Sequence, residues 1–317
     1  MIDVQRLRVL RAVAEHGSFN RAATALRLTP SAVSQQVAAL ERGLGTEVVV
    51  RSTRGITLTP AGRVMVGAAE SVAAELEHAR QQVERLSTRR TQLTVAAFTS
   101  GGRLLLPGAL ARLTAAHPDT VIHIREGEPE DTLPLVRRGT VDLALAYHFD
   151  GPLPTGPLPV GPQPAGPRLE WTPLLEDPLH VVLPADHRLA DRPALDLTEL
   201  AAEPWVLGCL KTEAFLRRYA ERAGFTPEIR GTTTDYFFAR SLVAAGLGLS
   251  LIPSIALTPD LSGPPGPPGL RALPVTTGSG PAPARHIGVA TRARPDRPHV
   301  TTLLQALRDE AARYSAA

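Results

Sequence analysis

Met65, Ala69, Val72, Leu76, Ala79, Val83 and Leu86 follow one another at intervals of 4, 3, 4, 3, 4 and 3. No other feature limits the possible folds of this chain so strongly. The spacing makes an a/d seam of about three heptads along one side of a helix, with polar and charged residues between its positions. Thr59-Pro60 opens that helix, with Thr at the cap and Pro at the first helical position. A helix of this length projects from any small domain that precedes it, so its seam needs something to pack on. A second copy of the chain is the simplest partner, and the spacing predicts a dimer. Packing on the chain's own body is the alternative.

Upstream of Thr59 the pattern is helical and heavily punctuated. Leu7, Leu10, Val13 and Ala14 share one helical face, Gly17 stops that helix, and Ser18 is placed to cap the next. Phe19, Ala22, Ala23 and Leu26 mark the second helix, and Arg27-Leu28 breaks it. Thr29 then reads as an N-cap and Pro30 as the first residue of a third helix. That helix turns Val33, Val37 and Leu40 inward and ends at Gly43 or Gly45. Val48-Val49-Val50 and Gly55-Ile56-Thr57-Leu58 flank a polar tip and predict a hairpin.

Downstream of Gln92 strands and helices alternate. Strands are predicted at Leu93–Phe98, Val121–Ile124 and Val141–Tyr147, with helices between them, which implies a parallel, doubly wound sheet. A second α/β set resumes at Leu179–Leu183 and includes strands near Val206, Ile229 and Leu247–Ile252. The chain is expected to cross between the two sets near Trp171-Thr172 and to return near Ala272–Pro274. Two Pro/Gly stretches, Gly151–Pro167 and Gly263–Gly269, read as surface loops. The last helix places Val300, Leu303, Leu304, Leu307, Ala311 and Tyr314 on one face.

Charge is uneven along the chain. Through Arg90 there are 13 Arg against 8 Asp and Glu, while the whole chain carries a formal charge of only +3. A basic start on a slightly acidic body fits a nucleic-acid contact confined to the first part. With one cysteine, Cys209, neither an intrachain disulfide nor a cysteine metal cluster can form. Nowhere do about eighteen apolar residues run together, so no membrane span is expected. The first residues lack the pattern of a signal peptide, and the expected location is the cytoplasm.

The run Ala12-Val13-Ala14…Gly17-Ser18-Phe19…Ala22-Ala23…Leu26…Thr29-Pro30-Ser31-Ala32-Val33-Ser34-Gln35-Gln36-Val37…Leu40-Glu41…Leu44-Gly45 resembles the signature of the LysR-type transcriptional regulators. So does Arg51…Arg54-Gly55-Ile56-Thr57-Leu58-Thr59-Pro60-Ala61-Gly62. Two positions depart from it: Val49 stands where an aromatic residue is common, and Gln35 where arginine is common. The resemblance implies a winged helix-turn-helix at 1–60, a linker and dimerisation helix at 61–89, and an effector-binding domain at 90–317. The last is similar to periplasmic binding proteins, with subdomain I at about 90–170 plus 276–317 and subdomain II at about 171–275. It further implies a homotetramer built from dimers, and contact with RNA polymerase if the protein is an activator.

A helix-turn-helix lays its second helix in the major groove, where base edges show a distinguishable donor and acceptor pattern. The expected DNA-contacting residues are Thr29, Pro30, Ser31, Ser34, Gln35 and Gln36 on the third helix, with Arg51 and Arg54 on the wing. A dimer through Met65–Leu86 would read an interrupted inverted repeat in double-stranded DNA. Ligands of doubly wound folds bind at the carboxyl ends of strands, facing helix amino termini. Thr99, Ser100, Glu126, Tyr147 and His148 follow strands of the first set; Cys209, Thr234 and Asp235 follow strands of the second. Hydroxyls and backbone N–H groups at Thr99 and Ser100 suit a small organic acid as effector.

No P-loop, dinucleotide fingerprint, nucleophile elbow or metal-ligand spacing appears, so neither a cofactor nor a catalytic role is expected. A repressor with no ligand, or a thiol-based redox regulator acting through Cys209, are the alternative functions.

Overall fold

The computed structural model describes residues 3–52, 55–87, 91–149, 151–158, 168–257, 269–276, 283–292 and 297–316. The head consists of α1 (Val4–His16), α2 (Phe19–Leu26), α3 (Pro30–Leu44) and a hairpin of β1 (Val49–Ser52) and β2 (Gly55–Leu58). Its helix ends follow local chemistry. Gly17 (φ 60°) and Gly45 (φ 70°) close α1 and α3 in the left-handed conformation that glycine adopts without strain. Arg27 closes α2 in the same conformation (φ 56°), although it carries a side chain. Thr29 caps α3, its Oγ1 accepting the Ala32 N–H at 3.2 Å. Ser18 occupies the cap position of α2 but makes no side-chain cap bond there.

The three helices bury Leu10, Val13, Ala22, Ala23, Val33, Val37 and Leu40 in one core, joined by Val48 and Val49 of the wing. Glu41 of α3 ties helix to wing: its Oε1 accepts the N–H groups of Val48 (3.0 Å) and Val49 (3.4 Å). From Thr59 the chain enters α4 (Pro60–Ser87), and the Thr59 hydroxyl accepts the Gly62 N–H at 2.9 Å. Gly62 lies so close to the wing that a Cβ there would meet the Val48 carbonyl oxygen at 1.9 Å.

The heptad seam of α4 divides. Met65 packs on the head's core, and Ala69 is 4% exposed. Farther along, Leu76 is 56% and Val83 65% exposed, and Ala79 is also exposed. The first part of the seam is therefore buried within the chain itself, and the later part is uncovered. The Leu86 side chain and all of Arg54 fall outside the described residues.

The rest is mixed α/β. In order come β3 (Gln92–Ala97), α5 (Thr99–Ala116), β4 (Val121–Glu126), α6 (Pro129–Arg138), β5 (Leu143–His148), β6 (Gly156–Pro157) and β7 (Leu169–Pro184). Then come β8 (Leu195–Asp196), β9 (Pro204–Leu207), α7 (Leu210–Arg222), β10 (Glu228–Thr232), α8 (Tyr236–Ala244) and β11 (Ser250–Pro253). The series closes with β12 (Leu270–Thr276), β13 (Ala284–Arg292) and α9 (Pro298–Ala316).

The main sheet runs β4-β3-β5-β13-β7-β12-β8, with β6 and β11 also paired to β7. β3, β4 and β5 are parallel, as the βαβ order requires. β13 runs antiparallel to both neighbours, so the sheet is mixed rather than wholly parallel. β7 is one unbroken strand: up to Pro178 it pairs with β13, and from Leu179 with β11 and β12. The change of partner falls at Pro178–Leu179, beyond Trp171-Thr172. On either side of it lie two apolar cores, one under α5 and α9, the other around Trp205, Leu216 and Leu251. No helix among the described residues is long and apolar enough to cross a membrane.

Candidate DNA-reading surface and effector cleft

α3 turns its apolar side to the core and leaves its amino-terminal turns in the open. Thr29, Pro30, Ser31 and Gln35 are exposed, and Ser34 and Gln36 are half-buried. Thr29 Oγ1 lies 3.0 Å from Ser31 Oγ, so capping and surface presentation coexist at this end. The backbone of Arg51 pairs with Ile56 in the wing hairpin. The wing is also set against α1, with the Ile56 N–H donating to the Gly17 carbonyl at 3.2 Å. The reading helix and the wing backbone thus share one framework.

The cleft between the two α/β halves is nearly closed, with about 20 Å³ of free space between its walls, room for about one water. Six of the eight residues expected there line it: Thr99, Ser100, Tyr147, Cys209, Thr234 and Asp235. Glu126 does not; it is exposed at the end of β4, where it accepts the Thr99 hydroxyl. His148 does not either. It follows Tyr147 on β5 and so projects from the opposite face, its ring 5.6 Å from that of His286 and 5.3 Å from that of Trp171.

The centre of the cleft is a group that the sequence reading omitted. Arg285 of β13 is 1% exposed and Asp177 of β7 0%. The Arg285 Nε donates to Asp177 Oδ2 at 2.6 Å, and its Nη2 donates to Ser100 Oγ at 2.8 Å. Asp177 Oδ1 accepts the Ile255 N–H at 2.9 Å. Burial opposes the charge on Arg285, but Asp177 more than restores it and leaves the pKa above its ordinary value. Around the guanidinium stand Tyr147, Phe98 and Tyr236, with ring centres at 4.9, 5.0 and 5.8 Å.

Tyr147 donates to Glu128 Oε2 at 2.7 Å and lies 3.4 Å from Cys209 Sγ, which connects the two halves. Burial pushes the phenols of Tyr147 and Tyr236 well above their ordinary range, so both remain protonated donors. Asp235 caps α8 by accepting the Phe237 N–H at 3.0 Å. At α5 the cap position belongs to Phe98, which has no side-chain cap bond. Thr99 and Ser100 are instead committed to Glu126 and Arg285.

Beside the cleft, His180 of β7 meets the Ser254 hydroxyl through Nδ1 at 3.2 Å. Burial lowers its pKa, against the opposing pull of a backbone hydrogen bond at Pro178 and the Asp177 charge. Stability is therefore expected to fall as pH drops below about 6.5, where the unfolded chain takes up a proton that the half-buried ring refuses. The decline stops once pH passes below the folded pKa. In urea titrations between about pH 7.5 and 5, His180→Gln should flatten the slope; an unchanged slope would reject His180 as its source.

Two family models match the chain. The model for the bacterial regulatory helix-turn-helix protein of the lysR family covers residues 4–63, and that for the LysR substrate binding domain covers 87–312. A probable hydrogen peroxide-inducible genes activator from Mycobacterium avium is 30% identical over 92% of this chain and 88% of that one. The uncharacterized HTH-type transcriptional regulator YnfL of Escherichia coli K12 is 29% identical over 80% of this chain and 82% of that one. A solved structure of a full-length OxyR variant from Pseudomonas aeruginosa is 25% identical, with a TM-score of 0.53. That likeness covers 97% of this chain and 95% of the other.

Proposed function

This chain belongs to the LysR family of DNA-binding transcriptional regulators, which are not enzymes, and we propose that it switches transcription when a small molecule enters the cleft around Arg285. The observation that carries this proposal is one lined, two-sided cavity whose walls come from both α/β halves. A molecule bound there would touch both halves and favour one arrangement of them over another. The exposed start of α3 would read bases in the major groove, with Gln35 suited to a two-pronged bond with adenine. The uncovered part of the α4 seam, from Leu76 to Val83, suits a second copy, and two copies would read an interrupted inverted repeat. A tetramer and an RNA polymerase contact would follow the family's habit.

Genome-wide mapping of bound DNA tests the whole proposal; absence of an enriched inverted repeat would sink it. Gln35→Ala is expected to relax preference at one half-site position, by about 1–3 kcal/mol in discrimination against the wrong base. Competition binding with single-base variants of the operator would show this, and unchanged selectivity would remove Gln35 from base reading. For the cleft, thermal shifts against small acids, amino acids and aromatics should find a stabilising ligand whose effect is lost in Ser100→Ala.

A second reading concerns oxidants. Cys209 lines the same cleft with the Tyr147 hydroxyl 3.4 Å from its sulfur, and the Mycobacterium avium relative is named for peroxide. Hydrogen peroxide would be reduced by the Cys209 thiol: the sulfur bonds one oxygen as the O–O bond breaks, and the departing oxygen takes up the thiol's proton, giving a sulfenic acid and water. With no other cysteine in the chain, a thiol from a small molecule or another subunit would have to restore it. Mass spectrometry after peroxide treatment decides between the readings: a Cys209 adduct that alters operator binding favours the oxidant.

A further inference from the structure

Two elements each have one end in the cleft and the other on the α4 stalk. Glu128, the residue at the cap position of α6, lines the cleft and holds the Tyr147 hydroxyl, and the helix's far end carries Arg137 and Arg138. These two arginines line a groove of about 860 Å³ against Glu70 and Glu77 of α4. β13 begins at Ala284-Arg285 in the cleft and ends at Arg292, which pairs with Glu75 of α4. The helix spans about 15 Å at 1.5 Å per residue, and the strand from Arg285 to Arg292 about 23 Å at 3.3 Å per residue. Each runs as one secondary-structure element between its two ends, although α6 carries Pro134 inside it and β13 shifts register against β7 at Ile287–Gly288.

The stalk ends are charged in a complementary way and only partly engaged. Arg137 Nη2 and Arg292 Nη1 are buried with no hydrogen-bond partner among the described residues. No ion pair joins Arg137 or Arg138 to Glu70 among those residues. Glu75 already holds Arg292 and Glu77 is bound by Arg80, while the buried donors of Arg137 and Arg292 lie beside exposed Glu70 and these two, so a short movement that exchanges partners gives a second arrangement. Burial also lowers the Arg137 pKa, as expected for a cation short of a partner.

We propose that α6 and β13 act as paired struts that carry a change in the effector cleft to the DNA-reading head, with Arg137 and Arg292 sliding on the α4 carboxylates Glu70, Glu75 and Glu77. The proposal rests on the cleft being the sensing site. Arg137 and Arg292 are positioning residues, since they touch neither DNA nor the cleft.

The experiment needs no ligand. Tyr147→Phe removes the hydroxyl that holds Glu128 and so disturbs the cleft end of α6 in the full-length protein. Amide exchange would be compared in wild type, Tyr147→Phe, the pair Arg137→Ala/Arg292→Ala, and the triple variant. Tyr147→Phe should change exchange in α4 residues 66–77 by about threefold or more, and should shift affinity for a duplex that the wild type selects from random sequence. Both effects should vanish in the triple variant. Where the arginine variants do not fold, Glu70→Gln/Glu75→Gln on the exposed side of the stalk replaces them. A change confined to the cleft, or one that passes undiminished through the disarmed stalk, overturns the proposal. Failure to find a ligand would leave this measurement intact, whereas failure of the wild type to select any duplex would strike the DNA-binding proposal instead.

Discussion

Replacing Asp177 by alanine is expected to cost about 3–5 kcal/mol of stability, because it leaves a buried guanidinium without its counter-charge. Arg285 is 1% exposed, with its Nε committed to Asp177 and its Nη2 to Ser100. Removing the carboxylate also frees the Ile255 N–H, a second buried donor. Arginine does not escape by losing its proton, so the strain falls on the fold. The matching double change, Asp177→Ala with Arg285→Leu, should recover much of the loss, since neither charge is then stranded. Urea unfolding of the two single variants and the double variant gives the coupling. A double variant no more stable than Asp177→Ala would mean that the pair is not the source. The same single change should abolish the thermal shift given by any cleft ligand, because Ser100 would lose its fixed donor.

Gly62→Ala is the second large effect, expected at about 2–3 kcal/mol. A Cβ at this position would lie 1.9 Å from the Val48 carbonyl oxygen and 2.9 Å from its carbon. Backbone atoms cannot rotate aside as a side chain does, so the first turn of α4 and the wing must separate. Val48 is held from the other side by Glu41, and the displacement passes to α3. Affinity should fall for all DNA sequences alike, since the wing's position sets phosphate contact more than base choice. Gly43→Ala is the control: nothing stands within 4 Å of a Cβ there. Within a helix that substitution should gain up to about 1 kcal/mol. Equal loss in both variants would show that the crowding at Gly62 is not the cause.

Much of the head was legible because its signals are local. Thr29-Pro30, Gly17 and Gly45 mark helix ends through their own backbone preferences, and Val33, Val37 and Leu40 fall on one face by periodicity alone. The six expected residues that line the cleft lie at or just beyond strand ends, where the fold gathers such positions. What escaped was long-range. Asp177 and Arg285 lie 108 residues apart and meet only through the pairing of β7 with β13. One signal was available: Arg285 alternates with Ile287 and Val289, both buried, which puts a cation on the inner face of a strand. His148 was misplaced in the cleft by the same rule of alternation, since Tyr147 already takes that face. The heptad gave the register of α4 but not which part of it the chain covers for itself. That division depends on where α1 stops, a matter of tertiary packing.

The unbroken course of β7 through both α/β halves limits how they can move. Two lobes joined by flexible tethers can part like jaws, but these share a backbone ladder that changes partners at Pro178–Leu179 without a gap. β7 is in effect a torsion bar. A change in its twist would be small at the strand and magnified at the rim of the cleft by the lever arm of each lobe. A molecule seated beside Arg285, close to this axis, would thus turn the outer surfaces by rotation while leaving the core ladder intact.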